Sequence, residues 1–84
     1  MGHARRRPKR LAEKLLQIRE ALGLSQKEMA ERLGEWAGVK ITHKNISKYE
    51  RGKSVPYLEI ALAYSRAASV TMNQIADDDL DLNL

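Results

Sequence analysis

His43, Lys44, Ser47 and Lys48 lie close together and are interleaved with the apolar Ile46 and Tyr49. On a helix, residues three and four apart share a face. Ile46 and Tyr49 would then point inward and the four polar groups outward. Lysine donates hydrogen bonds of the kind guanine O6 and N7 accept, and histidine and serine can donate or accept. An ordinary solvated helix face would have the same composition. Just beyond, Arg51 and Lys53 flank Gly52. They are natural phosphate contacts, with free surface charge as the competing reading.

No catalytic or metal-binding group accompanies these residues. There is no cysteine, so no thiol nucleophile, disulfide or zinc–thiolate framework is available. The two histidines, His3 and His43, lie in unrelated contexts, and nothing is spaced to join His43 as a ligand or a general base. There is also no Gly-rich phosphate loop and no carboxylate pair beside a histidine. The expectation is no catalytic residue, no metal and no cofactor, which makes an enzyme the weakest function class.

Charge points to a polyanionic partner. The net charge of +4 divides unevenly. Residues 1–53 hold 14 Lys/Arg and six Glu, a balance of +8; residues 54–84 hold one Arg, one Glu and four Asp, a balance of −4. A basic half suits phosphates, and an acidic end should face away from them. No apolar run approaches the roughly 18 residues that span a membrane. The basic start lacks the apolar segment of a secretory signal. A soluble intracellular protein with no membrane partner is expected.

The elements that must hold these groups are short helices. Residues 1–9 read as a flexible basic arm, with Arg5, Arg6 and Arg7 at its centre. Such an arm suits a groove or phosphates, a localisation signal, or simple solubility. A globular domain is expected over residues 10–76. Leu11, Leu15, Ile18 and Leu22 mark a first helix starting near residues 8–10, and Gly23 suits its left-handed stop. Ser25 and Glu28 make a capping box for a second helix. That helix buries Met29, Ala30 and Leu33 and ends at Gly34 or Gly38. Thr42 suits the cap of the third helix, over about residues 43–51, with Gly52 as its stop. Pro56 suits the first position of a fourth, with Leu58, Ala61, Leu62 and Ser65 inward. Thr71 and Gln74 form a second capping box, opening a short fifth helix with Met72, Ile75 and Ala76. Residues 77–84 read as an acidic C-terminal tail.

Together these residues resemble the Xre family of helix-turn-helix proteins, which includes Cro-like and phage-repressor DNA-binding domains. The matching positions are Ile18, Arg19, Gly23, Leu24, Ser25, Gln26, Ala30, Leu33 and Gly34, then Ile46, Ser47, Tyr49, Glu50, Gly52 and Pro56, then Leu58 and Glu59. The resemblance implies an all-α fold: a compact bundle of four to five short helices containing a helix-turn-helix with an extended turn. It implies sequence-specific binding of double-stranded DNA by a small transcriptional regulator of repressor type, with the third helix in the major groove. His43, Lys44, Ser47 and Lys48 then occupy base-contacting positions. Gln26, Asn45, Arg51, Lys53, Arg5, Arg6 and Arg7 become phosphate contacts. Arg19 and Glu50 match family positions that form an ion pair between the first and third helices.

Two departures stand out. Residues 35–40 look like six additional residues in the turn between the motif helices, which would alter the angle of the third helix. Ala68-Ser69 stands where the family tends to have Leu-Gly. Trp36, the sole tryptophan, is expected to pack over Leu33 and Val39, with a DNA-backbone or dimer contact as the alternative. The resemblance also implies a cytoplasmic, nucleoid-associated protein acting as a homodimer on a palindromic site. Met72, Ile75, Leu80, Leu82 and Leu84 are candidates for the dimer surface, against a reading in which the tail folds back on its own core. A different class remains open: an antitoxin or other interaction module with a small protein partner, whose DNA binding is autoregulatory.

Overall fold

Capping residues punctuate the chain into five helices, seen in a computed structural model that describes residues 8–84. They are α1 (Leu11–Leu22), α2 (Gln26–Ala37), α3 (His43–Glu50), α4 (Leu58–Ala68) and α5 (Met72–Ala76). The described residues contain no strand, and the fold is all-α. Ser25 opens α2: its hydroxyl accepts the Glu28 N–H at 3.0 Å, and the Glu28 carboxylate accepts the Ser25 N–H at 2.9 Å. Two donors without helical partners are thereby satisfied. The Ser25 N–H, with the hydroxyl second, holds the Glu28 carboxyl below its ordinary pKa. Thr71 and Gln74 repeat the device at α5, at 3.0 and 2.8 Å.

The inserted residues do not form the six-residue loop expected of them. Residues 35–37 continue α2 for another turn, and Gly38 stops it at φ 69°. Nothing in Glu35-Trp36-Ala37 breaks a helix, so the helix runs to the next stop signal. Gly34 has a different task. A Cβ there would lie 2.8 Å from the Val39 carbonyl oxygen. Without one, the chain folds back closely, and the Gly34 carbonyl accepts the N–H groups of Gly38 and Val39 at 2.9 and 3.2 Å. The connection to α3 is left with residues 38–42.

The core takes Leu15 and Ile18 from α1, Met29 and Leu33 from α2, Ile46 from α3, Ile60 and Tyr64 from α4, and Ile75 from α5. Helices α1 and α2 each pack against both α3 and α4, and α5 closes against α1 and α4. The inner face of α4 differs from expectation. Ile60, Ala63, Tyr64 and Ser65 are buried, whereas Leu58 and Leu62 are exposed and Ala61 is half-buried. Two adjacent stripes of α4 are apolar, so periodicity alone did not choose between them; the bulky Ile60 and Tyr64 fill the core. Pro56 sits just ahead of the N-cap, Tyr57, rather than inside the helix. Ser69 ends α4 with φ 55°, the left-handed conformation usually left to glycine. The buried Tyr64 hydroxyl has no hydrogen-bond partner among the described residues, and burial pushes its pKa up.

The C-terminal residues fold back. Leu82 is buried in the same core. The Asp78 carboxylate accepts the Lys9 and Arg10 N–H groups at 2.9 and 3.0 Å, capping the start of α1. Those bonds, from Arg10 and then Lys9, lower the Asp78 pKa. The Arg10 guanidinium meets the Asp78 carbonyl and the Asp81 carboxylate, each at 2.8 Å. Lys14 is wholly buried, and its ammonium donates to the Gln74 and Asp77 carbonyls at 2.7 Å each.

Candidate nucleic-acid interface

Helix α3 is held by its apolar side and by one carboxylate. Ile46 and Tyr49 are buried, and Glu50, the helix's single acidic residue, is turned inward with its side chain only 6% exposed. There it meets Arg19 of α1 in a two-pronged pair: Nε to Oε2 at 2.6 Å and Nη2 to Oε1 at 3.0 Å. The third guanidinium nitrogen, Nη1, donates to the Leu24 carbonyl at 3.0 Å. The hydrogen bond to Glu50 raises the Arg19 pKa. A bidentate pair fixes orientation as well as distance, so it ties α3 to α1 in a defined orientation.

With Glu50 turned in, the outward face of α3 carries only basic and polar groups. His43, Lys44 and Lys48 are exposed and Ser47 is half-buried. Lys44, Ser47, Lys48 and Arg51 stand at successive spacings of three, one and three, which is a single stripe along the helix. The Arg51 Nε donates to the Ser47 carbonyl at 3.3 Å, laying the guanidinium along that stripe. Lys53 is exposed one residue past Gly52. Among the described residues none of these cations has an ion-pair partner, and both ion pairs present lie elsewhere.

The start of α2 borders the stripe through Glu50. The Gln26 amide donates to Glu50 Oε1 at 3.1 Å, so this side chain is fixed by the same carboxylate that anchors α3. The capping box takes up the Glu28 N–H, and Met29 bonds to the Ser25 carbonyl. Gln26 and Lys27 stand in the first turn of α2, at the positive end of the helix dipole. Lys27 is exposed and lines one surface hollow with His43. Sequence reasoning passed over Lys27, although its place beside Gln26 in the first turn was a usable signal. Asn45 has a local role: its side-chain oxygen accepts the Thr42 N–H at 2.9 Å and so helps cap α3.

Several expectations meet a different geometry. Arg5, Arg6 and Arg7 lie outside the described residues. Pro8 and Lys9 share a hollow with Gly52 and Ser54, so the start of the described chain sits beside the end of α3. Trp36 is 54% exposed rather than in the core. It extends the Met29–Leu33 stripe one turn beyond the core and meets α4 instead, with the Arg66 guanidinium 6.0 Å from its ring centroid. Of the residues considered for a dimer surface, Ile75 and Leu82 are buried in the protein's own core. No group of three or more His, Cys, Asp or Glu able to hold a metal occurs among the described residues, and no helix there is long and apolar enough to cross a membrane.

Comparison with known proteins agrees with this geometry. A helix-turn-helix family model matches residues 15–75, from within α1 into α5. The chain belongs to the helix-turn-helix family. Its helix-turn-helix comprises α2, the turn over residues 38–42, and α3. The chain is also similar to the P22 c2 repressor protein, whose crystal structure was determined in complex with synthetic operator 9T in the presence of Tl+. The two share 28% sequence identity with a TM-score of 0.63, covering 82% of this chain and 96% of that one. No curated protein matches the chain.

Proposed function

We infer that the protein is a transcriptional regulator of repressor type that binds double-stranded DNA with α3 in the major groove. The observation that carries this reading is the acid-free stripe of α3: its one carboxylate is consumed by Arg19, and four exposed cations along and just past the helix have no ion-pair partner among the described residues. The operator-bound state of the similar repressor supports the same partner. His43, Lys44, Ser47 and Lys48 read base edges. Gln26, Asn45, Arg51 and Lys53 hold phosphates, joined by Arg5, Arg6 and Arg7 from the arm. Two copies bind a palindromic site, one half-site each. The protein acts at the nucleoid and performs no catalysis.

An antitoxin would need a free segment to dock its partner, and the acidic tail is the candidate for one. That tail instead caps α1 and buries Leu82, so no observation favours it.

Selection of bound sequences from a random duplex pool tests the reading, followed by titration of the selected site with Lys44→Ala and Lys48→Ala. Each good base contact is worth roughly 1–3 kcal/mol of discrimination. Each variant should therefore lose about tenfold or more on the selected site and little on random DNA. Failure to enrich any sequence overturns sequence-specific binding. Equal losses on both DNAs remove the lysines from base readout and reassign them to phosphates.

A further inference from the structure

Exposed apolar side chains gather on the outer side of α4, and Leu80 and Leu84 of the C-terminal residues are exposed as well. Leu58 is 74% exposed, Leu62 39% and Trp36 of α2 54%. Leu58 and Leu62 are four residues apart on one helical face. Glu59 and Arg66 border a shallow hollow of about 120 Å³ together with Trp36 and Leu62. Both charges lack an ion-pair partner among the described residues. Seven positions separate them, about 10 Å along the axis at 1.5 Å per residue, and Leu62 lies between.

This arrangement is self-complementary. If a second α4 is laid antiparallel across the first, with the twofold axis near Leu62, Glu59 faces the other copy's Arg66. The same contact repeats on the opposite side of the axis, as a closed twofold interface requires. We propose that this face pairs with a second copy of the chain through antiparallel α4 helices, with Leu58, Leu62 and Trp36 as the apolar centre and the two Glu59–Arg66 contacts at the rim. The inference deepens the homodimer reading but does not depend on DNA. The outward residues of α3 lie outside this face and stay open. The patch is small beside the roughly 1,200 Å² that stable pairs bury, so pairing is weak in free solution and strengthens when one DNA molecule holds two copies.

Sedimentation and Trp36 fluorescence across micromolar to millimolar chain concentrations provide the test, without DNA. The wild type should shift from monomer toward dimer, with a blue shift in the emission of its single tryptophan. E59R and R66E should each remain monomeric while keeping helical content by circular dichroism, because both residues are exposed. An equimolar mixture of E59R and R66E chains should associate at least as well as the wild type, since opposite charges again face each other. A wild type that stays monomeric throughout overturns the proposal. So does a mixture that fails to regain association, which would place the contact elsewhere. Loss of DNA binding leaves this readout untouched, and the two inferences fail separately.

Discussion

Lys14 and Lys44 are the same residue type with opposite fates. Lys14, on α1, is wholly buried and spends its charge on the Gln74 and Asp77 carbonyls. Lys44, on α3, is exposed and has no ion-pair partner among the described residues, like Lys48, Arg51 and Lys53 around it. At the α1–tail end, Arg10, Lys14, Asp78 and Asp81 satisfy one another or nearby backbone groups. At the α3 end the cations repel one another, and folding alone gives no reason to collect them there. Internally neutralised charge marks structure, whereas accumulated unpaired charge marks a surface whose counter-charge comes from outside. Net charge hides the contrast; pairing reveals it.

The largest break in this comparison comes from the link between its two ends. Arg19–Glu50 joins α1, which carries the paired charges, to α3, which carries the open ones. Removing one partner of a largely buried ion pair leaves the other charge uncompensated, which typically costs 3–5 kcal/mol. Glu50→Ala should therefore lower stability by about 3 kcal/mol, the low end because the Arg19 side chain keeps 18% exposure. It also releases the Gln26 amide. Chemical denaturation gives the stability change. A loss below about 1 kcal/mol, the range of an exposed pair, would falsify the anchoring role.

The second prediction sets the two lysines against each other. Lys14→Ala leaves two inward-facing carbonyls without their donor, and hydrogen bonds to charged groups are worth about 1.5–3 kcal/mol each. A loss of about 3 kcal/mol is expected, with some compensation from water entering near Asp77. Lys44→Ala should change stability by no more than about 0.5 kcal/mol while weakening binding to a selected site. Thermal unfolding and DNA titration of both variants should give opposite profiles. If both variants lose stability alike, the distinction between paired and open cations fails.

Much of this fold was legible in local chemistry. The capping boxes at Ser25 and Thr71, the stop at Gly23 and the buried stripe Leu15, Ile18, Met29, Leu33 depend on neighbours within a few residues. The Arg19–Glu50 contact spans 31 positions and came from family resemblance, not from spacing. The misplacements share a cause, which is that tertiary position decided between locally equivalent options. Two apolar stripes on α4 competed, and core volume selected Ile60 and Tyr64. Trp36 fits the inner stripe of α2, but the core ends before it. Lys14 completes the stripe of Leu11, Leu15 and Ile18 at three and four residues, so its burial was legible in register. Its charge argues against burial unless the carbonyls of Gln74 and Asp77 are at hand to receive it.

Among the buried side chains, the smallest expected loss belongs to the tail. Leu82 is 4% exposed and sits outside any helix between the exposed Asp81 and Asn83, where the backbone can relax around a smaller side chain. Buried Leu→Ala changes cost 2–5 kcal/mol, least where the site can collapse. Leu82→Ala should then cost about 2 kcal/mol. The Asp78 cap on α1 and the Arg10–Asp81 contact should partly hold the segment in place. Because the tail buries Leu82 against its own core, the variant should self-associate as the wild type does, in contrast to E59R. Sedimentation beside thermal unfolding separates the two possibilities. Unchanged stability with lost association would make the tail an interface after all. Lost stability with unchanged association makes it the closing piece of a single domain, and leaves α4 as the surface where two copies meet.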